Sequence, residues 1–427
     1  MSWWNQKQFS DLDGILCDGA VRSGKTVCLT VGFFLWSMST FQNQTFGLCG
    51  KTIGSLKRNI VDHLPAWLGE VFTFHPVKSE NKIVVCDKAG RRNSYYLFGG
   101  QDEGAAALIQ GITLAGVLLD EAALLNRPFL EQACARCSVP GAKLWFSCNP
   151  EGTEHWFYKA WVCRAAEKKL LHLHFTMDDN PSLDLAVRQR YERLYTGLFY
   201  RRFVLGQWCA AEGLVYDFDE GRHVTKKIPE EGRWFISVDY GTCNPFSAGL
   251  WCVDGDKAVR VKEFYHSGRD TGKMMTDTEY CRAIEELAAG HPVEKVIVDP
   301  SAASLITQLR RDGRFSVRKA KNAVLPGIQL VAGFLADGRL RIGAECHNAI
   351  REFSQYRWQD GGERDAPCKE NDHAMDEIRY FCATVLARMW GSIDGAVNAS
   401  PFRGGVAALA VTEGFSEVPS TPQSRIK

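Results

Sequence analysis

Residues 15–30, ILCDGAVRSGKTVCLT, restrict the fold more than any other part of the chain. An apolar run ends at Cys17, Gly19-Ala20-Val21-Arg22-Ser23-Gly24-Lys25-Thr26 follows, and the next residues have helical spacing. This is G-x-x-x-x-G-K-[ST] between an expected strand and an expected helix. Its glycines let backbone N–H groups curl round phosphate oxygens. Lys25 would reach the β- and γ-phosphates of ATP, and the Thr26 hydroxyl would bind Mg²⁺. An α/β unit built round a P-loop is therefore expected.

A chain of 427 residues can form two or three domains with sizeable cores. Its net charge of +1 gives no global sign of a polyanion partner, so any nucleic-acid surface must be local. The opening MSWWNQKQFSDLDG lacks a basic segment followed by an apolar one, and no apolar run approaches the ~20 residues that span a bilayer. A cytosolic protein with no membrane contact is expected. Its 15 cysteines, an odd and scattered set, then read as reduced thiols. Cys134-Ala-Arg-Cys137 has no second pair at zinc spacing, so no zinc site is expected.

Residues 26–39 read as the helix after the loop, 45–52 as a second strand, and 53–68 as a helix closing near Pro65. Short strands are expected at 82–86 and 94–98. Residues 114–121, LAGVLLDE, form an apolar run ending in acids, as in a buried parallel strand with carboxylates at its C-terminal edge. With a P-loop upstream, Asp120 is placed to hold Mg²⁺ and Glu121 to polarise the water that attacks the γ-phosphate. A third strand, 143–148, ends at Asn149-Pro150, where Asn149 or Ser147 can sense the γ-phosphate. Arg22 either stabilises charge on that phosphoryl group or pairs with a neighbouring acid. These features define an expected ASCE-type ATPase unit, 1–207, with a small basic and aromatic helical lid at about 178–207. Residues 208–232 read as a linker.

A second core starts at 233–241, a strand ending at Asp239 before a glycine turn. Strands at 248–253 and 258–264, a helix near 276–289, and an apolar run closing on Asp299 follow. Residues 371–380 open a late helix, with Asp372 as its N-cap. Two strand-end acids plus an acid on a late helix are the arrangement of an RNase H-like nuclease, whose carboxylates hold two divalent metals. Asp239 would bridge two Mg²⁺ or Mn²⁺ ions, and Asp299 and Asp376 would complete the cage. His373, three residues before Asp376, faces the same way as a metal ligand or a proton shuttle. An imidazole ligand tilts the preference toward Mn²⁺. This unit is expected over 233–400, with a flexible tail at 401–427.

The ordered series GAVRSGKT (19–26), VLLDEA (117–122), SCNPEG (147–152), DNPSL (179–183), GQWCAAEGLVYDFD (206–219), VDYG (238–241), VIVDPSA (296–302) and DHAMDEIRY (372–380) resembles the large subunit of a tailed-bacteriophage terminase, in its prophage-type branch. The resemblance implies an ATPase that drives double-stranded viral DNA into a procapsid and a two-metal endonuclease that cuts concatemeric DNA. It implies a small terminase subunit and a portal protein as partners, a homo-oligomeric ring on the portal, and work in the host bacterial cytoplasm. Lys25, Asp120, Glu121 and Asn149 match the family's ATPase positions, and Asp239, Asp299, His373 and Asp376 its metal positions. Gly50 stands before Lys51 where relatives often carry arginine, and Arg22 directly precedes Ser23, which leaves the arginine finger unassigned. Two other readings compete: a P-loop translocase or helicase whose second unit binds DNA without cutting it, and a scaffold that uses the nucleotide site as an assembly switch.

Overall fold

A computed structural model of the chain describes residues 2–102, 104–241, 244–362 and 365–390. The expected tail at 401–427, and the last ten residues of the expected second unit, lie outside the described residues. Among the described residues the strands form two sheets. The first holds β1 (Gly14–Gly19), β2 (Thr45–Gly50), β3 (Phe72–Val77), β4 (Lys82–Asp87), β5 (Arg92–Gly99), β6 (Gly116–Leu119), β7 (Lys143–Ser147) and β8 (Leu170–Phe175). Their order is β3-β4-β5-β2-β6-β7-β1-β8. From β5 to β8 every pairing is parallel, while β3 and β4 extend one edge antiparallel.

Ile15, Leu16 and Cys17 on β1 are fully buried, as is usual for a strand covered on both faces. The helix Lys25–Thr40 covers one face, packing Phe33 against Phe46 and Trp145, and Phe34 against Tyr95. β7 lies between β1 and β6, so the tip of the third strand stands between the P-loop and Asp120.

Sequence reasoning took 53–68 as one helix, but the structure breaks it. Ile53–Asn59 is capped by a Thr52–Ser55 box, and Leu64–Leu68 begins anew with Pro65 in its first turn. Proline suits a helix start and not its interior. β3 and β8 were not expected. β3 contains Pro76, which its edge position tolerates. β8, LLHLHF, shows the two-residue alternation of a strand.

The second sheet holds β9 (Val224–Thr225), β10 (Arg233–Asp239), β11 (Phe246–Asp254), β12 (Lys257–His266), β13 (Val293–Val298), β14 (Val317–Lys319) and β15 (Leu340–Gly343), in the order β14-β13-β10-β11-β12-β15-β9. β10, β11 and β12 form an antiparallel meander; β13 and β14 join parallel on one side, β15 and β9 on the other.

The stretch read as a linker is packed on this unit. It supplies β9, its Val215 N–H donates to the Tyr356 carbonyl (2.9 Å), and Phe218 stacks on Phe353 at 4.2 Å. The expected lid also faces the second unit: Tyr191, Tyr195 and Phe199 share an apolar core with Ile328, Val331 and Phe334. Arg202 locks the junction. Its side chain is 3% exposed, donates to the Cys209 carbonyl (3.1 and 2.5 Å) and to Asp365, and lies 3.7 Å from Glu151.

The helix His373–Phe381 crosses the second sheet in matched rows. Positions 373, 377 and 381 share a helix face, and 239, 237 and 235 share a strand face. His373 meets Asp239, Glu377 accepts from Ser237 Oγ, and Phe381 packs near Phe235. Trp251 stacks on Phe381 at 4.1 Å and donates to Glu377 (3.0 Å). From β12, Arg260 reaches the Glu377 carboxylate at 2.8 Å, both side chains fully buried. Gly249 makes the room: a Cβ there would lie 2.5 Å from Arg260 Nε and 2.6 Å from Glu377 Oε1.

Two stability outcomes follow from this packing. Gly249→Ala should destabilise by about 1–3 kcal/mol through overpacking. Arg202→Ala should cost about 1–3 kcal/mol by leaving the half-buried Asp365 carboxylate and the Cys209 carbonyl without their donor. Both are read as lowered midpoints in urea unfolding, and an unchanged midpoint contradicts the corresponding contact.

Candidate active sites

The P-loop curls because three of its residues hold left-handed backbone: Gly19 (φ 129°), Arg22 (φ 57°) and Gly24 (φ 81°). Its outer side is bolted to later parts of the chain. Ala20 N–H donates to the Phe175 carbonyl (2.8 Å) and Val21 N–H to the Phe203 carbonyl (2.9 Å). Asn180 Nδ2 donates to the Arg22 carbonyl (2.7 Å), and Arg22 Nε to the Tyr191 hydroxyl (3.0 Å). Gly206 (φ 70°) backs the loop so closely that a Cβ would sit 2.7 Å from the Ala20 nitrogen.

Inside the loop, Lys25 is buried and donates to Asn149 Oδ1 (2.6 Å) and the Ala20 carbonyl (2.9 Å). Burial pulls its pKa below the ordinary lysine value, against the opposing pull of Cys148, Asp120 and Asp18. Asp120 receives Ser147 Oγ at 2.5 Å and Thr26 Oγ1 at 3.4 Å. Burial raises its pKa, with Ser147, Lys25 and Thr26 working the other way. Glu121, directly after, holds φ 53°, an uncommon backbone conformation for a non-glycine residue and one that recurs at functional sites. The structure thus brings Lys25, Thr26, Asp120, Ser147 and Asn149 together at the C-terminal edge of one parallel sheet. Thr26 and Asp120 offer adjacent hard oxygen donors, the chemistry that suits Mg²⁺.

Sequence reasoning missed Asp18. It is 1% exposed, lies 3.0 Å from both His172 Nε2 and His174 Nδ1, and accepts from Trp208 Nε1 (2.5 Å). Burial raises its pKa, but the bonds from His172, Trp208 and His174 outweigh burial and leave it below the ordinary value. This carboxylate ties β1 to β8 and to the stretch beyond Gly206. An acid immediately before the first glycine of the loop was the available signal.

In the second unit Asp239 ends β10 and contacts His373 Nδ1 at 3.0 Å. Burial, opposed by the His373 bond and reinforced by Asp376 and Asp299, pushes its pKa up to about 6. Burial alone would lower the pKa of His373, yet Asp239, Asp372 and Glu352 hold it above the ordinary value. Asp299 accepts from Ser301 N (2.9 Å) and Ser301 Oγ (2.8 Å). Asp376 is paired with Arg379 at 2.8 Å.

The four expected metal ligands are therefore neighbours, but they do not close on one point. Among the described residues no three His, Cys, Asp or Glu side chains are placed to hold a metal ion together. Each carboxylate instead meets a protein donor: Asp239 meets His373, Asp299 meets Ser301 and Asp376 meets Arg379. The donor chemistry itself, three carboxylates and one imidazole, suits a hard divalent cation.

Asp372 stands at the N-cap position but its side chain makes no cap bond. Glu352, from the helix His347–Gln355, does that work: it accepts from Ala374 N (2.7 Å) and Met375 N (3.4 Å), and from the Tyr265 hydroxyl (2.7 Å). Nothing in the local sequence round Glu352 signals this long-range contact.

Gly206→Ala should push the segment 203–206 off the P-loop. Hydrogen exchange at the Val21 amide, whose acceptor is the Phe203 carbonyl, should accelerate by at least about tenfold, the equivalent of ~1.4 kcal/mol of local opening. Unchanged protection at Val21 would show that the backing contact does not hold the loop.

The family model described as terminase large subunit, T4likevirus-type, N-terminal, matches residues 16–222. Among solved structures, the chain is similar to the large terminase of a thermophilic bacteriophage, with a TM-score of 0.84 and 45% identity over 90% of this chain and 97% of that chain. Structures of the same phage protein in complex with ADP and with ATP-γ-S match with TM-scores of 0.81 and 0.80, at 44% identity and the same coverage. No curated protein sequence matches the chain. Identity at this level, over nearly the whole of both chains, carries fold and ancestry together, and the chain belongs to the large subunits of bacteriophage terminases.

Proposed function

We propose that this chain is the ATP-hydrolysing subunit of a viral DNA-packaging motor and that its second unit cuts the DNA. In this reading residues 1–207 are the ASCE-type ATPase unit with its lid at 178–207, 208–232 join the two units while adding β9 to the second sheet, and 233–390 belong to an RNase H-like nuclease unit. The observation that carries the reading is the meeting of Lys25, Thr26, Asp120 and Asn149 at one sheet edge, in a chain 44% identical to a large terminase crystallised with ADP and with ATP-γ-S.

The P-loop amides of 19–26 and the Lys25 ammonium bind the phosphates. Thr26 and Asp120 would hold Mg²⁺, which neutralises charge on the phosphate oxygens. Glu121 orients and deprotonates the attacking water. Asn149 holds Lys25 now and exchanges that bond for one to the γ-phosphate, so it registers loss of the phosphate. In the second unit Asp239, Asp299 and Asp376, with His373, would hold Mg²⁺ or Mn²⁺. Such ions supply an activated hydroxide and stabilise the leaving 3′ oxygen. Arg379 orients the Asp376 carboxylate, and His373 holds or moves a proton at Asp239. The partners in this reading are double-stranded viral DNA, a small terminase subunit, and a portal on which copies of the chain form a ring in the host cytoplasm. The HAMDEIRY stretch carries the prophage-type placement. Among the described residues no helix is long and apolar enough to cross a membrane.

One observation favours a second reading, a translocase whose second unit binds DNA without cutting it: no three of the described donors converge on a metal position. Paired variants separate the two. Lys25→Ala should lower ATP turnover by roughly 100-fold or more through lost charge stabilisation, with Mn²⁺-dependent cleavage retained. Asp239→Ala should abolish cleavage of plasmid DNA and leave ATP turnover within about twofold of wild type, since the two groups lie in separate sheets. Cleavage that survives Asp239→Ala rejects the metal site at Asp239, and a wild-type chain that turns over ATP but cuts no DNA with Mn²⁺ leaves the translocase.

A further inference from the structure

The chain is close to neutral overall, yet in the proposed reading a polyanion has to approach a group of carboxylates. Some local feature must hold it there. β14 is the edge strand of the second sheet, beside β13. The register sets Arg318 opposite Ile297 and Lys319 opposite Val298, the residue before Asp299. Ala320 N–H then donates to the Val298 carbonyl (2.8 Å), so the chain passes alongside Asp299. Lys321 N–H donates to Thr384 Oγ1 (2.9 Å). The Asn322 carbonyl accepts from Arg379 Nη1 (2.7 Å), the same guanidinium that holds Asp376. Residues 318–322 therefore form a wall running from Asp299 to the Asp376–Arg379 pair.

Three of those five residues are cations: Arg318, Lys319 and Lys321. Lys319 and Lys321 are exposed and Arg318 is half-buried. Other arginines of this unit are committed to acids: Arg233 to Glu294, Arg314 to Glu285, Arg339 to Asp337 and Arg379 to Asp376. Among the described residues no acidic side chain forms an ion pair with Arg318, Lys319 or Lys321. At strand spacing the three cover about 10 Å. That length matches roughly three phosphates of one DNA strand along the helix axis.

We propose that 318–321 is a backbone track for DNA: its cations take consecutive phosphates of one strand and lay that strand past Asp299. The proposal rests on the nuclease reading for its purpose but not for its test. The charge complementarity is to a regularly spaced polyanion.

The test uses the full chain in an Asp239→Asn background, with a fluorescein-labelled random-sequence duplex titrated between about 50 and 200 mM salt. Arg318→Gln/Lys319→Gln/Lys321→Gln should flatten the slope of log K against log salt by about 2–3 units, at ~0.9 per lost phosphate contact. Lys57→Gln/Arg58→Gln, on the helix Ile53–Asn59 of the first unit, should leave the slope unchanged. With Asp239 intact, the triple variant should raise KM for duplex cleavage while kcat stays within about twofold, because the lost contacts bind ground state and transition state alike. Lys321→Gln alone should flatten the slope by about one unit, which serves if the triple variant fails to retain wild-type ATP turnover. A slope equal to that of the control pair in a folded variant overturns the track. The binding measurement needs no cleavage, so a failure of the nuclease reading would appear separately, as a wild-type chain that binds the duplex and cuts no DNA with Mn²⁺.

Discussion

Arg260 and Glu377 are both fully enclosed, and enclosing a charge costs several kcal/mol unless its partner is in place. The surroundings meet that requirement in detail. Glu263 takes the other side of the guanidinium at 2.7 Å, and Ser237 and Trp251 donate to the Glu377 carboxylate. β11 offers only a glycine where the pair passes. A buried pair of this kind adds little net stability compared with apolar packing, but it tolerates only one arrangement of the parts that carry it. Here those parts are the sheet and the helix His373–Phe381. Asp376 adjoins Glu377 in sequence and His373 lies one turn away, so the pair fixes where His373 meets Asp239 and where Asp376 is presented to Arg379.

The same helix is held at its start by Glu352, whose carboxylate satisfies two of the amides that every helix leaves unpaired there. Negative charge at that end is also favoured by the helix dipole. The first unit solves a comparable problem differently. Lys25 and Asp120 are both buried at the sheet edge, and each is held by short polar side chains rather than by a fixed counter-ion: Asn149 for the one, Ser147 and Thr26 for the other. Hydrogen bonds of this sort can be exchanged for bonds to a ligand. The Arg260–Glu377 pair has no such freedom. One unit is built to change partners and the other to keep them.

Much of this was legible in the sequence because it is local. The P-loop, the acid after 116–119, the Asn149 turn, and the strand ends at Asp239 and Asp299 are each written in a short run whose chemistry and period agree. What was not legible is long-range. The histidines of β8 found Asp18 only through its pairing with β1. The 208–232 stretch looked like a linker because it is polar and glycine-containing, yet the pairing of Val224 and Thr225 with β15 and the stacking of Phe218 on Phe353 depend on residues more than a hundred positions away. Glu352 was invisible for the same reason. In the stretch expected as a lid, Leu185–Leu194 is helical, and its aromatic side chains pack on residues from the distant second unit.

The matched rows between 373, 377, 381 and 239, 237, 235 limit how this chain can change over generations. Side chains on a strand alternate with a period of two, so one inserted or deleted residue in β10 would turn Asp239 or Ser237 to the opposite face. In the helix the same event would rotate the row by about 100°. Substitutions can be absorbed one at a time at the edges of this contact, but length cannot vary within either element. Related chains should differ in length in the loops that join β10 and the late helix to the rest, and keep both elements free of gaps.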